Sequence, residues 1–416
     1  MGEQTRTGGR EATSAVIPGR YALSVGHPET VPPSGFRWRL LTDIARLESG
    51  HTPSRARADY WDGDVPWIGI RDASGNHGKV LYSTEQYVTH LGIQHSSARV
   101  LPAGTVCLSR TASVGYVVTM GVPMATSQDF VNWVCGPELH SRYLHYLLMM
   151  EQESIRRFAY GSVHPTLYYP DAKALHICVP EISVQRAISE VLGALDDKIA
   201  ANTRLATTAD ALAAATLRSA LSDRQVPLSD IAAVTMGSSP PGTSYNEVGD
   251  GLPFFQGVRD FGLRYPAHRV WTTTPVRTAS RGDTLVSVRA PVGRVNIAAT
   301  DLCIGRGLAA LRSTQGSPWC LFHLLRDDPV VWVPYEAEGT VFGSINREQL
   351  ATLSLPAVDP DEARRVEARI AEIEARLAAA LDENAELAAT RDALLPALMS
   401  GSLRVRDAEA VVSDLT

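Results

Sequence analysis

The strongest candidate for phosphate chemistry is Gly237-Ser238-Ser239-Pro240-Pro241-Gly242-Thr243-Ser244, whose first and second glycines stand at P-loop spacing. A phosphate cradle of that kind needs a lysine beside its terminal hydroxyl, and none is present. Transfer of a methyl group to an amine would call for Asn-Pro-Pro-aromatic or Asp-Pro-Pro-aromatic beside a glycine-rich donor loop, and neither motif occurs. Asp196-Asp197-Lys198 offers the acidic pair of a nuclease metal cluster, but it falls within a helical apolar repeat, where a solvated helix face is expected. The five cysteines, Cys107, Cys135, Cys178, Cys303 and Cys320, form no Cys-x-x-Cys pair, which argues against both a zinc site and a disulfide framework. No catalytic residue and no metal ligand is assigned, so the chain reads as a non-enzyme.

Side chains suited to recognition are easier to find. Gly305-Arg306-Gly307 sets one arginine in permissive backbone, fit for close approach to a ligand or groove, or for a plain tight turn. Gln128 falls at the corresponding earlier place, and glutamine suits adenine as arginine suits guanine in a major groove. Two polar loops, one with Ser162, His164 and Thr166 and the other with Thr340, Ser344, Asn346 and Arg347, could meet bases or phosphates or be ordinary surface loops. Arg71 and Arg259 occupy matching Gly-x-Arg-Asp positions and complete the candidate set.

Net charge is −6, but the acid is unevenly spread: residues 36–180 hold 13 Lys+Arg against 12 Asp+Glu, 226–358 hold 11 against 11, and 359–416 hold 7 against 13. Local basic faces, not the total, set phosphate affinity, so nucleic acid stays open as a ligand. Lysines are only Lys79, Lys173 and Lys198, and the arginine bias favours bidentate contacts, although genome composition gives the same bias. No apolar run approaches the roughly 20 residues of a membrane helix, and no signal peptide opens the chain, so a cytoplasmic protein without membrane contact is expected.

These residues are positioned by a chain written twice. Asp43-Ile44-Ala45 recurs as Asp230-Ile231-Ala232, Gly50-His51-Thr52-Pro53 as Gly237-Ser238-Ser239-Pro240, and Gly69-Ile70-Arg71-Asp72 as Gly257-Val258-Arg259-Asp260. Ala112-Ser113-Val114-Gly115 recurs as Ala290-Pro291-Val292-Gly293 at an offset of 178. Each copy begins with short strand-like runs punctuated by Gly and Pro, then turns helical. Ile188, Leu192, Leu195 and Ile199 in one copy, and Val366, Ile370, Ile373 and Leu377 in the other, step by four and three like a coiled-coil seam. Beyond them Asn202, Leu205 and Leu212 align with Asn384, Leu387 and Leu394 at an offset of 182, as if one copy held an extra turn. A seam asparagine would fix register, and exposed helix positions are the alternative. The expected fold is α+β, with two similar globular domains joined by two long antiparallel coiled-coil helices in pseudo-twofold arrangement; two surface helices, each packed on its own domain, are the alternative. A helix of about 38 residues spans about 57 Å, and two packed antiparallel would serve as a ruler along a duplex.

Three stretches resemble the specificity subunits of type I restriction–modification systems. Pro33 to Leu40 with Asp43-Ile44-Ala45 and Gly50 to Pro53 is similar to the start of a target recognition domain. Leu101 to Val106, Ser113-Val114-Gly115 and Ala125 to Phe130 are similar to its middle, and Val179 to Ile188 running into Leu195 to Asn202 is similar to its end and the spacer helix. The second copy departs at Asp359 to Arg364, which lacks the glutamine. The resemblance covers roughly 36–401 and implies a non-catalytic subunit that reads a bipartite site on double-stranded DNA. It also implies docking of two methyltransferase subunits, which would bring S-adenosylmethionine and adenine methylation, and of restriction (motor-nuclease) subunits. No cofactor is expected in this chain itself.

The domain boundaries that follow are a flexible leader over 1–35, a first target recognition domain over 36–180 and a first spacer helix over 181–224. A second recognition domain over 225–358, a second spacer helix over 359–401 and a C-terminal tail over 402–416 complete the chain. The rival functions are a fused restriction or modification enzyme with an unrecognised motif, which would turn over alone, and a coiled-coil scaffold, whose modules would ignore DNA.

Overall fold

The computed structural model describes residues 16–416 apart from 112, 162–163, 337–342, 360–361, 414 and 416. The chain divides into two units, Met1–Ala201 with Asn384–Thr416, and Asn202–Glu383. The fold is α+β, and each unit combines a module of mixed sheets with a half of each long helix.

In the first unit, strands Ala45–Ser49, Phe130–Cys135, Val106–Ser109, Val117–Met120 and Val80–Leu81 form a sheet in that order. Val106–Ser109 and Val117–Met120 are buried along their whole length, which is why their sequences are mostly apolar rather than alternating, with only Ser109 and Thr119 polar. In the second unit Ala232–Met236, Leu308–Ser313, Thr284–Ser287 and Val295–Ile297 repeat that order. The pairing repeats residue by residue. Phe130 opposite Ser109 becomes Leu308 opposite Ser287, and Val131 opposite Ser49 becomes Ala309 opposite Met236. A second, parallel pairing repeats too: Ala125 beside Trp67 becomes Cys303 beside Phe254.

Two helices of 37 residues, Ile182–Arg218 and Ala363–Met399, each belong in part to both units. In the first unit Ile188, Leu192 and Leu195 are buried and Ile199 half-buried in one cluster with Leu387, Leu395 and Leu398. In the second, Val366 and Ile370 cluster with Ala213 and Leu217, Leu377 packs on Ala206 and Ala209, and half-buried Ile373 joins both groups. The pairing is antiparallel within each unit. Neither seam is purely helix on helix, because the module helices Ser141–Met150 and Pro318–Arg326 pack against the same stretches.

Four sequence expectations need correction. The leader is not structureless throughout: Ile17–Pro18 and Leu23–Val25 are strands in a sheet with Leu175–Pro180 and Phe36–Leu40. Leu23 and Val25 are fully buried, and the Glu151 carboxylate accepts hydrogen bonds from the amides of Arg20, Tyr21 and Ala22. That short apolar run is hidden in the sequence among glycine, proline and threonine. The first long helix ends at Arg218 rather than 224, because Leu221–Pro227 leaves it to pair with Ser354–Val358. The second starts at Ala363 rather than 359. The offset of 182 fails as well: the helices are equal in length, and Leu205 and Leu212 are 51% and 48% exposed while Leu387 is 1% exposed. Alanines take the seam positions there, so matching leucine to leucine misplaced the register. The tail carries a helix, Val405–Ser413, whose Ala408 and Val412 are buried with Leu398 and Met399. Asn202 is buried and donates to Glu383 at 2.7 Å.

Candidate nucleic-acid interface

Parallel strands end on the same side, so in each module the loops that follow the parallel pair leave together. In the first unit these are the loops after Ile68 and after Thr126. Gly50 brings a third loop against them: a Cβ there would lie 1.9 Å from the Ser127 carbonyl oxygen, so only glycine fits. Thr52 then donates its hydroxyl to the Gln128 side-chain oxygen. Arg110 ties in a fourth loop, donating to the carbonyls of Gln128 at 3.2 Å and Leu167 at 3.3 Å while lying over the Tyr169 ring. Thr166 sits opposite Thr111 in the same framework. Arg71 is exposed on the helix Ile70–Gly75, whose start is fixed by the buried Asp72 accepting from the amides of Gly69 and Glu85 at 2.9 and 2.8 Å. His164 is exposed, and Ser162 lies outside the described residues.

The second unit builds the same end differently. Strand pairing carries Ile68 onto Phe255, whereas the Gly-x-Arg-Asp motif carries Gly69 onto Gly257, so Gln256 is an extra residue without a counterpart. Its side-chain oxygen accepts from Ser239 at 2.7 Å, and the Gly305-Arg306-Gly307 loop closes on it. A Cβ at Gly305 would lie 2.4 Å from the Gln256 side-chain oxygen, and one at Gly307 would lie 2.4 Å from its carbonyl oxygen. Backbone bonds from Gly305 to Phe255 (2.8 Å), Gly307 to Gln256 (3.1 Å) and Val288 to Gly307 (2.9 Å) fix the loop. Beside it lies a cleft of about 430 Å³ lined by Gln256, Val258, Ser287, Arg289, Ala290 and Arg306. Ser344 is exposed and bridged to Arg289. Thr340 lies outside the described residues.

Arg259, Arg289 and Arg306 are exposed, and among the described residues none of them has an ion pair with a carboxylate. The cleft lining contains no acid. This end of the module can offer two guanidinium groups and an amide to an acceptor-rich ligand. Asn346 is not free to join them, because its side chain accepts from the Gln349 amide at 2.9 Å and caps the helix Arg347–Ala351. Arg347 is exposed at the first position of that helix. Arg289 and Gln256 escape a residue-type search. The signals for them are the repeat, which sets Arg289 beside Ala290-Pro291-Val292-Gly293, and the one-residue insertion at Gln256.

Asp196 and Asp197 do not form a plain solvated face. Asp196 accepts from Tyr146 at 2.5 Å and from Arg391 at 2.8 Å, and Asp197 pairs with Arg142 at 2.7 Å. The second unit holds a larger charged group that residue type and spacing alone do not reveal. Arg264, fully buried, donates to Glu374 at 2.7 and 2.8 Å and to Asp210, while His323 bridges Glu374 at 2.9 Å and Asp327 at 2.8 Å. Arg326 pairs with Asp210 and Asp327, each at 2.7 Å. Ligand atoms of Asp210, His323 and Glu374 lie within 4.8 Å of one another, but Arg264 already supplies the cation between the carboxylates. Burial disfavours the charged imidazole, yet the hydrogen bonds to Asp327 and Glu374 outweigh it and hold the His323 pKa above the ordinary value. The signal available in sequence was Glu374, an acid set among Ile370, Ile373 and Leu377.

Residues 33–208 match the family described as the type I restriction modification DNA specificity domain. The match covers the first module and the adjoining part of the long helix that follows it. Among curated relatives of that specificity domain, the type I restriction enzyme MjaX specificity subunit of Methanocaldococcus jannaschii is 34% identical over 176 residues, 42% of this chain and 41% of the relative. The MjaIX specificity subunit of the same organism is 31% identical over 169 residues, covering 40% of this chain and 39% of the relative. The matched region thus spans about two fifths of the length of these relatives. The crystal structure of a type I restriction–modification system S subunit from M. genitalium aligns with 89% of this chain and 97% of its own, with a TM-score of 0.57 and 16% identity, a likeness of fold.

Proposed function

We propose that the chain is the DNA sequence-specificity subunit of a type I restriction–modification complex, in which each module reads one half of a bipartite site. The observation that carries this is the duplication: the second module repeats the strand registers of the specificity domain and presents unpaired arginines where its own parallel strands end. Arginine, glutamine and short hydroxyl side chains on rigidly seated loops are the groups that read base edges and hold phosphates. The chain itself would be non-catalytic. Methyltransferase subunits, two by analogy with the two modules, would dock on it and bring S-adenosylmethionine, and motor-nuclease subunits would join for restriction. The long helices, about 56 Å each, would set the unread gap. Among the described residues no helix is long and apolar enough to cross a membrane, and a cytoplasmic complex is the setting that fits DNA as substrate.

The test is methylation of random-sequence DNA by this chain together with its cognate methyltransferase, read base by base, beside each protein alone. Methyl-adenine confined to one split motif, and only with both proteins present, is the expected result. Methylation or cleavage by this chain alone would overturn the non-catalytic assignment.

A further inference from the structure

The two modules share a frame but place different chemistry at its reading end. The position filled by Gln128 in the first is filled 178 residues later by Arg306, exposed between two glycines that seat it against Gln256. Arg289 lines the same cleft, 178 residues after Thr111. The first module has an arginine close by, but Arg110 is turned into the fold, donating to the carbonyls of Gln128 and Leu167 and lying 4.8 Å from the Tyr169 ring centre. Its guanidinium is therefore occupied, whereas Arg306 and Arg289 have no carboxylate partner among the described residues. A free guanidinium matches the two acceptors, O6 and N7, that guanine alone presents side by side in the major groove, and a side-chain amide matches adenine.

We infer that the half-site read by the second module contains a guanine recognised by Arg306, with Arg289 as its neighbour in the same groove, and that the first module has no guanine at the equivalent position. This rests on the role proposed above and adds the base that role would recognise. The fixed backbone of the Arg306 loop matters here, because a bidentate contact discriminates only when the side chain starts from a set position.

The experiment uses the full chain with its cognate methyltransferase and a random-sequence DNA library, comparing the wild type with Arg306→Ala, Arg306→Gln and Gln128→Ala. The wild-type motif should contain a guanine whose discrimination falls by about 5- to 150-fold in Arg306→Ala, with the other half unchanged. Gln128→Ala should relax only the opposite half. Independently, duplex oligonucleotides of the wild-type motif premethylated at guanine N7 should lose binding when the modified guanine is the one lost in Arg306→Ala. A split motif that stays unchanged in both Arg306 variants, or N7 methylation without effect at that guanine, overturns the inference and leaves the specificity role standing. Absence of any split motif in the wild type overturns the role itself.

Discussion

Replacing Arg264 with methionine should cost the second unit about 3–5 kcal/mol, the range for leaving a buried charge without its partner. Three cations, Arg264, Arg326 and protonated His323, here face three carboxylates, Asp210, Glu374 and Asp327. Methionine refills the space of the arginine stem over Phe322, which limits any cavity contribution, but leaves two cations against three acids. Glu374, fully buried, loses both of its guanidinium bonds and keeps only His323. The double variant Arg264→Met with Glu374→Met restores the balance at two against two, with Asp210 still held by Arg326 and His323 by Asp327. It should therefore be more stable than the single variant despite carrying one more substitution. Urea unfolding, chosen because guanidinium salts would screen the group, followed by hydrogen exchange in peptides from 363–383 reads the effect locally. A single-variant loss below about 1 kcal/mol, or a double-variant loss equal to the sum of the singles, would refute the assignment of these charges as one coupled group.

The same group predicts a pH dependence. His323 is raised above its unfolded value, so its contribution is fully present below about pH 6.5 and is lost as pH rises through the higher folded value. Burial opposes ionisation of Asp210, Asp327 and Glu374, but their cationic partners outweigh it and hold all three low, so their contribution is lost only as pH falls below the usual carboxylate range. Urea midpoints of the full chain should decline as pH rises above about 6.5, and His323→Gln should flatten that decline; an unchanged slope would remove His323 as its cause. In the first unit, Glu151→Ala strips the acceptor from three consecutive amides, those of Arg20, Tyr21 and Ala22. Limited proteolysis should then cut near Arg20 at least about tenfold faster, with the rest of the unit intact, and equal cutting rates would show that the buried Leu23 and Val25 hold the segment alone.

Much of the fold was legible because the repeat and the helical period are long-range signals that local exceptions do not erase. Ile188, Leu192, Val366 and Ile370 announce their burial by spacing, and the shared Gly-x-Arg-Asp motif announces two modules. The misses were places where a tertiary partner decides. Leu23 and Val25 form a strand because Leu175 to Ile177 and Glu151 meet them, and nothing near residue 23 in sequence states that. Leu205 and Leu212 look like seam residues by type, yet Ala206, Ala209 and Ala213 hold the seam, packed against Leu377, Val366 and Ile370 of the other long helix. Asn346 looked like a base reader, but the glutamine three residues on makes it a helix cap.

The duplicated frame also shows how one scaffold keeps its fold while the residues mounted on it diverge. The strand ladders keep their register at the offset of 178, and so does a buried histidine, His145 in one module and His323 in the other. Their surroundings have diverged. His145 hydrogen-bonds Thr119 and the Gly78 carbonyl, and burial pushes its pKa down to about 4, whereas His323 sits between two carboxylates and is pushed up. What is shared is a buried place on the module helix, Ser141–Met150 in one unit and Pro318–Arg326 in the other, and what differs is whether the imidazole's partners are neutral or charged. The loops after the parallel strands follow the same rule, with glycines holding the backbone close while Gln128, Arg306 and the inserted Gln256 vary. Exchange of those loops between modules should therefore move base preference without disturbing the ladders beneath, because backbone bonds also seat each loop, His51 on Thr126 and Ser127 on Ile68 in one module and Gly305 on Phe255 and Gly307 on Gln256 in the other.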